Sequence, residues 1–199
     1  MKYPQTILNL IECFKKLPGI GEKSAERMAL STLNMDEEIL ALFSNTLLDI
    51  PKKINHCKQC NNLCEGDLCE ICKSPNRDHN VICVVEEVKN VNLFEKVGTY
   101  NGLYHVLGGL ISPLDNITPE DININQLIER VKKSDVKEVI LAIKPSIEGE
   151  TTALYISKIL ENSGVKVSKI AHGVPIGVDM EYIDSLTLEL ALEDRTEIS

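Results

Sequence analysis

The chain has 199 residues, 43% of them hydrophobic, which gives room for one or two domains and enough apolar side chains for a buried core. No run approaches the roughly 18 consecutive apolar residues of a membrane span, and the opening MKYPQTILNLIECF lacks the charged, apolar, small-residue order of a secretory leader, so a cytoplasmic location is expected. A net charge of −9 excludes a body coated in basic surface, and any nucleic-acid contact must come from a local patch.

The charge is uneven. Residues 1–79 hold 10 Lys and Arg against 11 Asp and Glu, whereas residues 80–199 hold 11 against 19, which directs any DNA contact to the first part. There Ile7, Leu8, Ile11, Phe14 and Leu17 recur at helical spacing until Pro18-Gly19-Ile20-Gly21 breaks the run, and a second helical pattern covers Glu22 to Leu33. The result is helix, hairpin, helix. The glycines of that turn let backbone N–H groups approach a phosphate closely, and the free amides opening the second helix add partial positive charge. Lys23 and Arg27, four apart, share one helix face and can reach neighbouring phosphates, with nothing that points to reading of base edges. Gly19, Gly21, Lys23 and Arg27 are therefore the candidate DNA-binding residues. An ordinary tight turn has the same PGxG composition, and Glu22 and Glu26 weaken the basic patch. A third amphipathic segment, Asp36 to Asp49, is expected to close at Pro51.

The cysteine-rich stretch follows. Seven cysteines is an odd number for a disulfide framework, and four of them form Cys57-x-x-Cys60 and, eight residues on, Cys69-x-x-Cys72. Two such knuckles supply four thiolates at the corners of a tetrahedron, which is what structural zinc prefers, with no position left open for water. One structural Zn²⁺ per chain is expected, stapling a segment too short and polar for a core of its own. Free surface thiols are the alternative. His56 and Cys64 lie close enough to confuse the ligand set; Cys64 has no partner in register and reads as a spare, and Cys13 and Cys83 read as core residues.

From residue 81 the texture changes. Val81 to Val85 is a continuous apolar run of the kind buried on both faces of a sheet, and Tyr104–Leu107, Val139–Ile143 and Val165–Ala171 read as further strands. Helical patterns at Asn90–Val97, Asn123–Lys132 and Thr151–Asn162 separate them, so a parallel sheet covered on both sides is expected. The tail, Ser185 to Leu192, fits a short helix or a strand, and no internal repeat is found.

Glu86 and Glu87 end the first of these strands, and Glu148-Gly149-Glu150 lies just beyond the Val139–Ile143 strand, at the edge where open parallel sheets gather ligands. Glu86, Glu148 and Glu150 could hold Mg²⁺ for phosphoryl transfer. They read more simply as solvated acids or as a docking surface for a basic partner, and Lys144 can neutralise one of them. No nucleophile or strong base accompanies them, so no catalytic residue is assigned, and His105 and His172 read as core or hydrogen-bonded residues without a role.

Taken in order, these motifs resemble one family, the RecR recombination mediators, over nearly the whole chain. The resemblance rests on LPGIGEKSAERMA in the hairpin, the four zinc cysteines, VICVVEE opening a Toprim-like domain, YHVLGGLISPLDNITPEDI, EGETTALYI and KIAHGVPIG. It implies an α/β protein of several modules: a helix-hairpin-helix region over 1–54, a four-cysteine zinc finger over 55–78, a Toprim-like domain over 79–175 and a C-terminal oligomerisation segment over 176–199. It further implies a ring-forming oligomer, often a tetramer, that clamps DNA through residues matching Lys23 and Arg27 and works with RecO and RecF to load recombinase, without catalysis. Glu86, Glu148 and Glu150 then fall in a region tied to partner docking. The chain departs from the usual pattern at Lys144, where a neutral polar residue is commoner, and at Asn116 and Thr118, where glycines are usual. Two rivals remain at this point: a Mg²⁺-dependent Toprim nuclease or primase-like enzyme, and a zinc-stapled module that touches only proteins.

Overall fold

The computed structural model describes residues 3–171, 173–175, 177–193 and 195. It divides into two compact units, 1–53 and 54–199.

In the first unit, α1 (Gln5–Lys15) and α2 (Glu22–Ser31) pack through Ile7 and Ile11 of one against Ala25 and Ala29 of the other. Both alanines are fully buried. Having no side chain beyond Cβ, they let the helices approach closely behind a short connection. The α3 helix (Glu37–Lys53) has no buried residue and leaves Ile39, Leu42, Phe43 and Leu47 exposed. It runs two residues past Pro51 instead of closing there. A proline in the last turn forfeits a single ladder bond, to the carbonyl four residues back, and two residues remain beyond it.

The second unit opens with the antiparallel pair β1 (Ile54–His56) and β2 (Leu63–Glu65), followed by the one-turn helix α4 (Glu70–Lys73). A four-stranded sheet then forms from β3 (Asp78–Val85), β4 (Gly102–Val106), β5 (Glu138–Ala142) and β6 (Lys166–Lys169) in the order β4-β3-β5-β6. All its pairings are parallel. The connecting helices are α5 (Val88–Val97), α6 (Ile124–Lys133) and α7 (Ile147–Leu160), and α8 (Ser185–Glu193) resolves the tail as helix.

Strand alternation sorts the core into two layers. Ile82 and Val84 point to one face, where Leu127 and Val131 of α6 and Ile156 and Leu160 of α7 cover them. Cys83 and Val85 point to the other, against Val91 of α5. The β6 edge is guarded by lysines: Lys166 pairs with Glu138 at 3.0 Å and Lys169 with Glu150 at 3.0 Å. The β4 edge is wholly buried, because other parts of the unit satisfy its outward backbone groups. Val106 N–H donates to the Cys60 carbonyl (2.8 Å), the Asn61 amide donates to the Val106 carbonyl (3.1 Å), and Arg130 donates to the Tyr104 carbonyl (2.7 Å). The cysteine module is thus bound to the sheet it precedes. Chain order reverses between β3 and β5, so the outlets of Glu86 and Lys144 lie at the switch point of the sheet.

Candidate metal centre and nucleic-acid interface

Local backbone geometry makes the metal centre. The Cys57-x-x-Cys60 turn continues from β1, with Asn61 N–H donating to the Cys57 carbonyl (2.9 Å) and Asn61 itself in the left-handed region at φ 61°. On the other side Cys69 caps α4, its Sγ accepting from Cys72 N–H at 3.5 Å, which sets the second pair one turn apart. Lys58 N–H donates to the Asp67 carbonyl (2.9 Å) and ties the two knuckles together.

All four thiols are buried, and their sulfurs lie within 4.8 Å of one another. Cys60 and Cys69 are 3.5 Å apart. Four sulfurs each about 2.3 Å from one zinc would stand about 3.8 Å apart, so the donor set fits a tetrahedral thiolate site that this metal would close completely. Hydrogen bonds from Cys60 and Cys72 pull the Cys69 thiol well below the usual thiol range. The shared interaction with Cys69, then that with Cys72 and burial, push Cys60 far up. Cys72 is pulled down by Cys60, but Cys69 and burial prevail and carry it upward. One thiolate is stabilised by its neighbours; a divalent ion is what can stabilise four. Cys64 stands outside the set, its thiol donating to the Gly66 carbonyl at 3.1 Å, and exposed His56 places Nδ1 3.0 Å from the Asn61 carbonyl oxygen. Cys83 is core as expected, but Cys13 is exposed: two residues past Ile11, it has turned away from the buried stripe of α1.

At the hairpin, Gly19 takes φ +78° and Ile20 N–H closes the turn on the Leu17 carbonyl (3.2 Å). Gly21 precedes α2 without a side-chain cap, and no atom lies within 4 Å of where a side chain on either glycine would begin. The backbone there is open to a ligand. Lys23 and Arg27 are exposed, and neither forms an ion pair among the described residues. Glu22 and Glu26, which weaken the patch in sequence, are both engaged: Glu22 by Lys15 at 2.7 Å and Glu26 by the Tyr3 hydroxyl at 2.5 Å.

The acidic residues are not brought together as ligands. Glu86 faces Lys144 at 3.4 Å, Glu150 faces Lys169, and Glu87 caps α5 while pairing with Lys89 at 2.7 Å. Glu148 lies in the first turn of α7, where the backbone first and the Ser146 hydroxyl second hold its carboxyl below the usual range. Among the described residues, the four cysteines are the one group of metal-ligating side chains close enough to share an ion. His105 is buried in β4 with Nε2 2.8 Å from the Asn123 carbonyl oxygen, and burial foremost lowers its pKa to about 4, so it stays neutral. His172 lies outside the described residues.

The unusual residues find local explanations. Asn116 adopts the left-handed φ of 56°, a conformation glycine supplies without strain and asparagine tolerates. Thr118 closes a turn on Asp121 through its N–H and hydroxyl, each at 2.8 Å. Sequence reasoning passed over Arg130, whose guanidinium binds the sheet edge, and the Gln126 amide, which donates to the Lys58 carbonyl at 2.5 Å. An arginine three residues after Leu127, at the margin of a buried stripe, was the available signal for the first.

Four family models cover most of the chain: the RecR helix-hairpin-helix at residues 7–50, the RecR four-cysteine zinc finger domain at 54–74, the Toprim domain at 80–171 and the RecR C-terminal model at 173–196. The zinc finger match and the four converging sulfurs together indicate one structural zinc. Among curated proteins, Recombination protein RecR of Staphylococcus aureus strain JH9 is 49% identical over 198 residues, covering 100% of both chains. The namesakes from S. aureus strain Newman and from Staphylococcus haemolyticus strain JCSC1435 match to the same extent. No helix among the described residues is long and apolar enough to cross a membrane. Sequence motifs, metal geometry and full-length relatives coincide, and the chain belongs to the RecR family of recombination proteins.

Proposed function

We propose that this protein is a non-enzymatic DNA-binding mediator of recombinational repair. It acts in the cytoplasm with RecO and RecF, as a homo-oligomeric ring, most simply a tetramer, that clamps DNA and helps load recombinase on single strands. The observation that carries this reading is the hairpin: an open glycine turn beside Lys23 and Arg27, both exposed and unpaired, with the adjacent acids already engaged. Such a surface grips phosphates without reading bases. A closed ring also answers the net charge of −9, since an acidic exterior can surround a basic lumen and topology supplies retention that a single weak patch cannot. The absence of catalysis is supported by Glu86 and Glu150, each facing a lysine where a metal-dependent enzyme would need a free carboxylate. The C-terminal segment, 176–199, is assigned to oligomerisation and the acidic edge to partner docking.

The test is DNA binding across a salt titration for the wild type and the Lys23→Glu/Arg27→Glu variant, with mass measured by light scattering. The mediator reading expects a multimer whose salt-dependent binding collapses in the variant. A monomer, or binding unchanged by both reversals, would remove the hairpin from the interface.

A further inference from the structure

Resting on the four-cysteine centre described above, we infer that Arg130 is the counter-cation of the zinc site: its buried charge compensates the net negative charge of the metal–thiolate cluster and retards loss of the metal. Arg130 is nine-tenths buried. One terminal nitrogen donates to the Tyr104 carbonyl at 2.7 Å, while the other is enclosed without any hydrogen-bond partner. No carboxylate among the described residues lies within ion-pair distance of the guanidinium. Arginine cannot discharge itself by losing a proton, so an enclosed guanidinium with a single neutral acceptor is costly unless an anion lies nearby.

The anion is supplied by the neighbouring module. Four thiolates around one divalent zinc leave a centre with two net negative charges, itself shielded from water by the burial of all four cysteines. Arg130 borders the same cleft as Gln59, which lies between the ligands Cys57 and Cys60, and Leu68, which precedes Cys69. The neighbouring Gln126 binds the Lys58 carbonyl from the same helix, so α6 approaches the first knuckle at two successive turns. The attraction between the two buried charges offsets part of the desolvation that each incurs alone. Arg130 touches no ligand sulfur within hydrogen-bonding distance, and it is a positioning residue for the metal, acting through the field.

The alternative role is a plain cap on the β4 edge, and the test must separate the two. In full-length zinc-loaded protein, the rate of zinc transfer to excess 4-(2-pyridylazo)resorcinol is measured for wild type, R130Q and R130K. Glutamine can still donate to the Tyr104 carbonyl but carries no charge; lysine keeps the charge. Release about tenfold faster in R130Q, at the low end of what outer-shell partners of metal ligands are worth, with R130K within about threefold of wild type, is the expected result. Equal rates for R130Q and R130K would overturn the inference, because edge capping alone would then explain the residue. Should R130Q not accumulate as folded protein, R130K still tests the inference, because release tenfold faster despite the retained charge overturns it.

Discussion

At His105 the ring is enclosed in β4 and hydrogen-bonded to the Asn123 carbonyl, and its pKa is lowered, chiefly by burial, from 6.5 to about 4. The folded state refuses a proton that the unfolded chain accepts, so this residue's contribution to stability is fully present above pH 6.5 and is lost as pH falls toward 4. The loss is on the order of 3 kcal/mol at about 1.4 kcal/mol per unit. Chemical denaturation of His105→Gln across that window should show a flatter decline than wild type; an identical pH profile would remove His105 as the cause. Gly149 makes a second prediction: a methyl group there would overlap the Lys144 carbonyl oxygen, so α7 can start this close to the end of β5 only with glycine. Gly149→Ala should cost about 1–3 kcal/mol in denaturant titrations, the range for forcing an extra methyl into a packed site. Neither role was legible in the sequence. Gly149 stood out only as the spacer of Glu-Gly-Glu, and lone histidines carry no marker of burial. The cysteines were legible because their spacing is itself the geometry of the site.

Among the elements, the cysteine module and β4 stand or fall together. The Val106 amide donates to the Cys60 carbonyl and the Asn61 side chain returns a bond to the Val106 carbonyl, so order in the first knuckle is order at the sheet edge. Chelation of zinc should therefore raise hydrogen exchange at the Val106 amide, far beyond the last ligand in sequence, along with the module's own amides. Protection at Val106 that survives complete metal removal would show that the edge holds without the module. Element type followed from periodicity for every strand of the sheet, because Val81–Val85 and Val139–Ile143 are runs that only a two-sided burial explains. Boundaries were less accessible. The α7 helix begins at Ile147, four residues before the apolar pattern starts at Thr151, since the Ser146 hydroxyl accepts from Gly149 N–H (3.2 Å) and begins the helix through a cap. The β1–β2 pair escaped notice because each strand is only three residues long and its register is set by the cysteine turn.

At the scale of the whole molecule, the proposed grip on DNA must work from a chain of −9 net charge through the exposed Lys23 and Arg27. If both side chains meet phosphates of a duplex, the dependence of log affinity on log salt should flatten by about 1.8 in the double-reversal variant, about 0.9 for each phosphate no longer neutralised. A slope unchanged within error would place the phosphate-binding groups elsewhere.

The all-parallel sheet also fixes how the chain must spend its time before it is native. Ile82 of β3 is paired on one side with Leu103 and on the other with Val139, so the central strand waits for a segment 57 residues further along the chain. At about 5–20 residues per second, synthesis leaves that interval at several seconds. Throughout it Val81-Ile82-Cys83-Val84-Val85, a β-branched run without charge or proline, has no permanent neighbour on its β5 side. The α1–α2 pair, closed by packing between near neighbours in sequence, can be complete before β5 exists. Birth of this protein is therefore sequential and its most hydrophobic strand is the one kept waiting, which makes elongation rate and temperature during expression, more than final stability, the determinants of soluble yield.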